Sequence, residues 1–421
     1  MTYEILDGPA LWSGQAHMPT ILGRQIVIDR AEGCYIHTTD GRRLYDTTAA
    51  LWYANVGHGR KELAEAAYKQ MQKLETYHIF GRYVNDQALA IAERLAAMSP
   101  IANPKVILNS GGSDSIDVAC KLARRHWQLE GKPTKTYVLS REHSYHGLHA
   151  FGTSLAGLPF NREGYGGDSI IPETAIVSFN DPAMVKELIS ELGPDNIAAL
   201  VTEPIQGTGG VNPPTAEYLQ EVQRMCHQNN ILFIVDEVIT GFGRTGHMFA
   251  TQRFDLQPDM ITFAKGVTSG YLPLGGVFVS PEIWKPFWVN AKTTPIHRHG
   301  ITYAGHATAC AVAQVNLDII EREGLVKRAG ELEIVLRTEL EALAARRPSV
   351  AEVRCGGFMG GVSLIDGMSN EQIADDLVEL GFVARPLRGN TLQISPPLVT
   401  TDDEVRLAIK AIDEALAARE S

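Results

Sequence analysis

The chain has 421 residues, with 38 Lys and Arg against 49 Asp and Glu, a formal charge of −11, 44% hydrophobic residues and 21% charged ones. At roughly 150 residues per domain this length predicts two or three domains, and the composition is that of a globular chain with a sizeable core. The acidic balance argues against nucleic-acid partners, which need clustered Lys and Arg, and the longest clean apolar run, 231–235, falls far short of the roughly 20 residues that span a bilayer.

The opening MTYEILDGPALWSGQ has neither the basic flank nor the apolar core of a secretory signal. Five scattered cysteines (Cys34, Cys120, Cys226, Cys310, Cys355) form no CxxC pair, which predicts reduced thiols and a cytoplasmic location. From there the chain alternates apolar runs with amphipathic stretches. Segments 105–108, 136–140, 175–179, 197–202, 231–237 and 260–263 read as buried strands. Between the first two, Ile116, Ala119, Cys120, Ala123 and Trp127 repeat at a helical period, predicting a helix from about 116. Such alternation predicts an α/β fold, a mostly parallel sheet covered by helices on both faces. Its ligands would lie beyond the carboxyl ends of the strands. Segment 326–346 reads as a long helix, followed by β-like pieces at 351–365 and 382–394. A closing helix is announced by the capping box Thr401 to Glu404. These last elements predict a smaller α+β domain completed by the N-terminal segment.

Chemistry gathers after the predicted strands. The loop 109–115, NSGGSDS, follows a strand and opens a helix; its glycines permit close approach of the backbone, and free N–H groups there favour an anion. An ordinary capped helix start would carry similar residues. Tyr145-His146-Gly147 offers a ring for stacking and room beside it. The spacing of His143, His146 and His149 drifts around a helix with no carboxylate or cysteine beside it, so no metal site is expected. In ILFIVDEVITGFGRTG (231–246) a strand delivers Asp236 and Glu237 to its carboxyl end. A buried carboxylate there needs a cation or strong donors, and a protonated heterocycle would serve. The GFGRTG that follows is formally GxGxxG. It lacks the apolar helix of a nicotinamide-binding turn and is read as turn glycines. Lys265, just after a strand and among small residues, is suited to lose its proton and form a Schiff base with an aldehyde.

Taken in order, GGSDS, YHG, EPIQGTGG (203–210), DEVITGFGRTG (236–246), AKG (264–266), ITYAGHA (301–307) and SPPL (395–398) closely resemble the class III pyridoxal-phosphate (PLP) aminotransferases, of fold-type I. The entry segment DTTAALWYANVGHGR (46–60) resembles theirs too. The resemblance implies an N-terminal segment 1–60 shared between small domain and active-site entrance, a large PLP-binding domain 61–310 and a C-terminal small domain 311–421. It implies that Lys265 holds PLP as a Schiff base and shuttles the proton, and that Asp236 keeps the pyridine nitrogen protonated. Tyr145 and Val238 would pack on the ring, with His146, Gly147 and Glu203 around it. Gly112 and Ser113 would bind the phosphate, and Thr302 would reach the phosphate of the partner subunit. An obligate homodimer, or a tetramer built from it, follows. Its small-molecule substrates are an amine donor and a carbonyl acceptor, handled in two half-reactions.

Departures are visible. Many relatives carry Ser-Gly-Ser-Glu where this chain has Gly111-Gly112-Ser113-Asp114, Ile239 replaces the Gln of some subfamilies, and the family's GHP is Gly305-His306-Ala307. None removes a catalytic group. Trp52 matches a pocket aromatic of the ω-transaminase branch, with Tyr53 beside it. Arg385 matches an arginine that binds substrate carboxylates, with Arg388 as its rival. An aminomutase or decarboxylase would use the same cofactor apparatus.

Overall fold

In the computed structural model, which describes residues 7–165 and 170–420, a seven-stranded sheet forms the centre. Its strands lie side by side in the order Lys105–Asn109, Gly275–Val279, Met260–Phe263, Leu232–Asp236, Ile197–Thr202, Tyr137–Arg141 and Thr174–Val177. Ile197–Thr202 and Leu232–Asp236 are buried at every position, as expected of parallel strands covered on both faces. The helix Gly112–Leu129 buries the predicted stripe Ile116, Ala119, Cys120, Ala123 and Trp127. It begins four residues before the apolar period does, because its first turn is built from Gly112, Ser113, Asp114 and Ser115 and has no stripe to reveal it.

Gly275–Val279 is absent from the sequence reading and is the one antiparallel member, paired with both Lys105–Asn109 and Met260–Phe263. Its two leading glycines read as a loop. They are needed because a Cβ at Gly276 would lie 2.5 Å from Phe263 Cζ and 2.6 Å from the Ile107 carbonyl.

Two four-stranded sheets flank the centre. The first joins Ile28–Glu32, Tyr35–Thr38 and Arg43–Asp46 to Phe382–Val383, which pairs parallel to Arg43–Asp46 across most of the chain length. The second orders Val350–Cys355, Gly360–Leu364, Thr391–Ile394 and Arg385–Leu387. The long helix Leu325–Arg346 and the closing helix Asp402–Glu420 pack beside them, the latter capped as predicted: Thr401 N–H donates to Glu404 Oε2 at 2.8 Å. GFGRTG joins the centre to this flank. Arg244 is fully buried there, donating to the Pro396 carbonyl at 2.6 Å and to Asn55 Oδ1 at 3.1 Å. Gly246, at φ +76°, lies against Gly330.

Candidate active site

A cavity of about 320 Å³ opens at the carboxyl ends of the parallel strands. Asp236 closes the strand Leu232–Asp236 on its floor. Its Oδ2 is 2.7 Å from His146 Nδ1, and its Oδ1 accepts from Thr262 Oγ1 at 3.0 Å and from the Val238 N–H at 3.0 Å. Since the carboxylate accepts, His146 donates through Nδ1, and its buried Nε2 has no partner among the described residues. Glu237, the next residue, turns away. Its Oε2 accepts from the Ala250 N–H at 2.9 Å and from Thr240 Oγ1 at 2.5 Å, so it serves the fold rather than the cavity.

Lys265 follows the strand Met260–Phe263 in a left-handed conformation, φ +48°, and lines the cavity. Burial draws its pKa down to about 8, against the opposing pull of Asp236 and Glu203; the Arg385 charge lowers it further. Glu203 ends the approach of Ile197–Thr202, its Oε1 accepting from the Tyr145 N–H and its Oε2 from the Gly207 N–H, each at 3.0 Å. Burial pushes its carboxyl upward. Buried Arg141 braces the same turn by donating to the Glu203 carbonyl at 2.7 Å.

The third wall is the start of the helix Gly112–Leu129. Gly111 lacks a side-chain cap, and a Cβ added there would enter open space. Gly111, Gly112 and Ser113 line the cavity, so the start of an 18-residue helix, whose first N–H groups have no intrahelical acceptor, borders it. Ser113 Oγ stands beside them and accepts from the Leu148 N–H at 3.3 Å. Gly147, at φ +83°, is pressed so close that a Cβ would overlap Ser113 Oγ and sit 2.9 Å from Ser113 Cα. Gly112 meets Val238 in the same manner, 2.9 Å from added Cβ to Cγ1.

The cavity thus brings together Gly112, Ser113, Tyr145, His146, Gly147, Glu203, Asp236, Val238 and Lys265 of the expected set, and Tyr53 at its edge. Trp52 is buried behind it, its ring centroid 6.0 Å from Lys265 Nζ and 4.9 Å from the Arg385 guanidinium carbon. Its indole N–H has no acceptor among the described residues. Arg388 instead lies over Phe160 at 4.2 Å, in another cleft. Thr302 is exposed and outside the cavity. The three spaced histidines go to three different places: His146 to Asp236, His149 to Asp114 at 3.4 Å, and His143 edge-on to Phe179. Sequence reasoning missed Thr262, Thr268 and Gly270. The last carried a signal in its Ser-Gly turn: its φ is +79°, and a Cβ there would sit 2.5 Å from Tyr53 Cε2.

Residues 19–416 match the class-III aminotransferase family. The chain belongs to that family. It is 34% identical to the putrescine–pyruvate aminotransferase of Pseudomonas aeruginosa over 425 residues, covering 93% of this chain and 91% of that protein. The beta-alanine–pyruvate aminotransferase of the same organism is 33% identical over 414 residues, covering 93% and 91%. Among solved structures, an amine transaminase from an uncultivated Pseudomonas species in its PLP-bound form superimposes with a TM-score of 0.93 at 33% identity, covering 98% of this chain and 99% of that one. This aminotransferase is therefore a PLP-dependent, fold-type I enzyme.

The cavity's own chemistry fits that cofactor. Free helix N–H groups and a serine hydroxyl suit a phosphate, an anchored carboxylate suits a protonated pyridine, and a lysine with a lowered pKa suits an aldehyde.

Proposed function

We propose that this aminotransferase takes its amino group from an amine or ω-amino acid and delivers it to a keto acid or aldehyde such as pyruvate, in a ping-pong cycle. The observation that carries the substrate class is Arg385. Its guanidinium lies over the Trp52 ring within the field of Lys265, and among the described residues no carboxylate pairs with it. A forked cation beside an apolar indole suits a substrate with a carboxylate at one turn of the cycle and an apolar end at the other. The named activities of the two Pseudomonas aeruginosa relatives, on putrescine and beta-alanine with pyruvate, support the same reading.

When bound, PLP supplies an aldehyde and an electron-withdrawing ring that stabilises charge on the substrate carbon. The protein does the rest. Gly112, Ser113 and the helix start hold the phosphate. Asp236, oriented by His146 and Thr262, keeps the proton at the ring nitrogen. Tyr145 and Val238, which both line the cavity, would pack on the ring. Lys265 would hold the cofactor's aldehyde at rest; burial draws its pKa down to about 8, which favours the neutral amine that would accept and return the substrate proton. Glu203 fixes the Tyr145 turn.

The working unit in this reading is a cytoplasmic homodimer. Thr302 lies outside its own chain's cavity, and the exposed Tyr303, Tyr77 and Phe80 leave apolar surface for a second copy, whose phosphate site Thr302 would reach. Among the described residues no helix is long and apolar enough to cross a membrane.

Arg385→Ala tests the substrate class. Losing a bidentate charged contact of about 1.5–3 kcal/mol should raise the KM for pyruvate roughly 10- to 150-fold, while a neutral aldehyde acceptor is little affected. Equal loss for both acceptors would refute the assignment.

A further inference from the structure

Behind the Trp52 wall lies a buried carboxylate that the reaction does not touch. Asp46 ends the strand Arg43–Asp46 and is 2% exposed. Its Oδ1 accepts from the Thr48 N–H at 3.1 Å and from Thr48 Oγ1 at 2.8 Å; its Oδ2 accepts from the Ala50 N–H at 2.7 Å and from His58 Nε2 at 2.8 Å. Two of these four donors are backbone groups of one turn, and that turn is strained. Ala49, Ala50 and Trp52 stand at φ +47°, +55° and +60°, where residues with a Cβ cost about 1–2 kcal/mol each. A turn of this kind persists only when its surroundings over-determine it.

In the proposed function this strained turn backs the substrate wall, with Tyr53 lining the cavity and Trp52 buried behind it. It presents the Trp52 ring beneath the Arg385 guanidinium and Tyr53 at the cavity edge. The same segment is tied to the strands that carry Arg385: Thr47 Oγ1 donates to the Val383 carbonyl, and the Ser395 N–H donates to the Thr47 carbonyl at 2.7 Å. Val383 also pairs with Asp46 in the parallel ladder, two residues before Arg385. Trp52 and Arg385 are therefore mounted on one body.

We propose that Asp46, oriented by His58, is a positioning residue for substrate: it holds the 48–52 turn in its strained form so that Trp52 and Arg385 meet the substrate as a preformed wall. This rests on the reading of that wall as the substrate site. Asp46 is not among the residues that line the cavity, and its hydrogen bonds reach that lining through the turn it anchors.

The test uses the PLP-loaded enzyme and Asp46→Asn, with His58→Gln as the milder variant should Asp46→Asn fail to fold. Each removes part of the anchor and leaves the phosphate loop, Asp236 and Lys265 in place. Hydrogen exchange of the 47–53 amides should accelerate about tenfold, the loss of one charged hydrogen bond, while exchange across 232–236 is unchanged. KM for donor and for pyruvate should rise about tenfold with kcat within about twofold and the PLP Kd unaltered. Adding Ala50→Gly to Asp46→Asn removes the strain at φ +55° and should recover part of the KM. Unchanged exchange at 47–53, or faster exchange with unchanged KM, overturns the proposal. So does a double variant no better than Asp46→Asn alone. Failure of the underlying reading looks different: Arg385→Ala would then leave the KM for pyruvate untouched or weaken pyruvate and a neutral aldehyde equally, whereas failure of this proposal alone leaves the selective Arg385→Ala effect intact.

Discussion

Gly147→Ala separates two effects that are easily confused. The residue sits at φ +83°, and the added methyl would overlap Ser113 Oγ and lie 2.9 Å from Ser113 Cα. The left-handed backbone costs an alanine about 1–2 kcal/mol, but apo and loaded enzyme share that cost, so it lowers Tm without entering the PLP dissociation constant. The steric term does enter it. Ser113 must turn its hydroxyl away or draw back the helix start, and if it binds the phosphate as proposed, either loses one hydrogen bond to a charged group, about 1.5–3 kcal/mol. PLP affinity should fall roughly 10- to 150-fold. Titrating apoenzyme with PLP reads this number, and pyridoxal, which lacks the phosphate, is the control. An unchanged PLP Kd would refute the reasoning, as would equal weakening of PLP and pyridoxal.

Lys265→Met probes the buried amine through stability. The folded pKa of about 8 lies below the ordinary 10.5, so the unfolded chain binds the proton more readily, and the charge destabilises the apo fold most below about pH 8. That destabilisation disappears as pH rises from about 8 to 10.5. The apo variant should therefore have a higher Tm than the parent at pH 7 and a shrinking advantage towards pH 10.5; a pH-independent difference contradicts this. Arg244→Ala strips donors from the buried Pro396 and Phe358 carbonyls and from Asn55. At about 1–3 kcal/mol per unsatisfied group, a lower urea midpoint at an unchanged PLP Kd is expected.

The parallel sheet was legible because burial on both faces writes continuous apolar runs: 197–202 and 260–263 coincide with the strands. Gly275–Val279 was not, since its leading glycines carry a loop signature and are required by the close approach of Phe263 and Ile107. Asp236 and Lys265 could be singled out because each directly follows an apolar run. The His146 to Asp236 contact joins residues 90 positions apart, and no local pattern encodes it. Asp46 and His58 are invisible for a different reason: an ordinary Asp and His, they matter only through a backbone turn whose positive φ values fall on alanine and tryptophan, not glycine. Arg244 sits among turn glycines in the sequence, and its burial between the central sheet and the flank emerges only from tertiary packing.

Everything proposed for the cavity turns on Lys265 being the residue that bonds PLP. Borohydride reduction of the PLP-loaded enzyme, followed by peptide mass spectrometry, locates that bond directly. The pyridoxyl group is predicted on Lys265 alone and should be absent from Lys265→Met. A label on another lysine, or none on Lys265, would show that a different residue holds the cofactor.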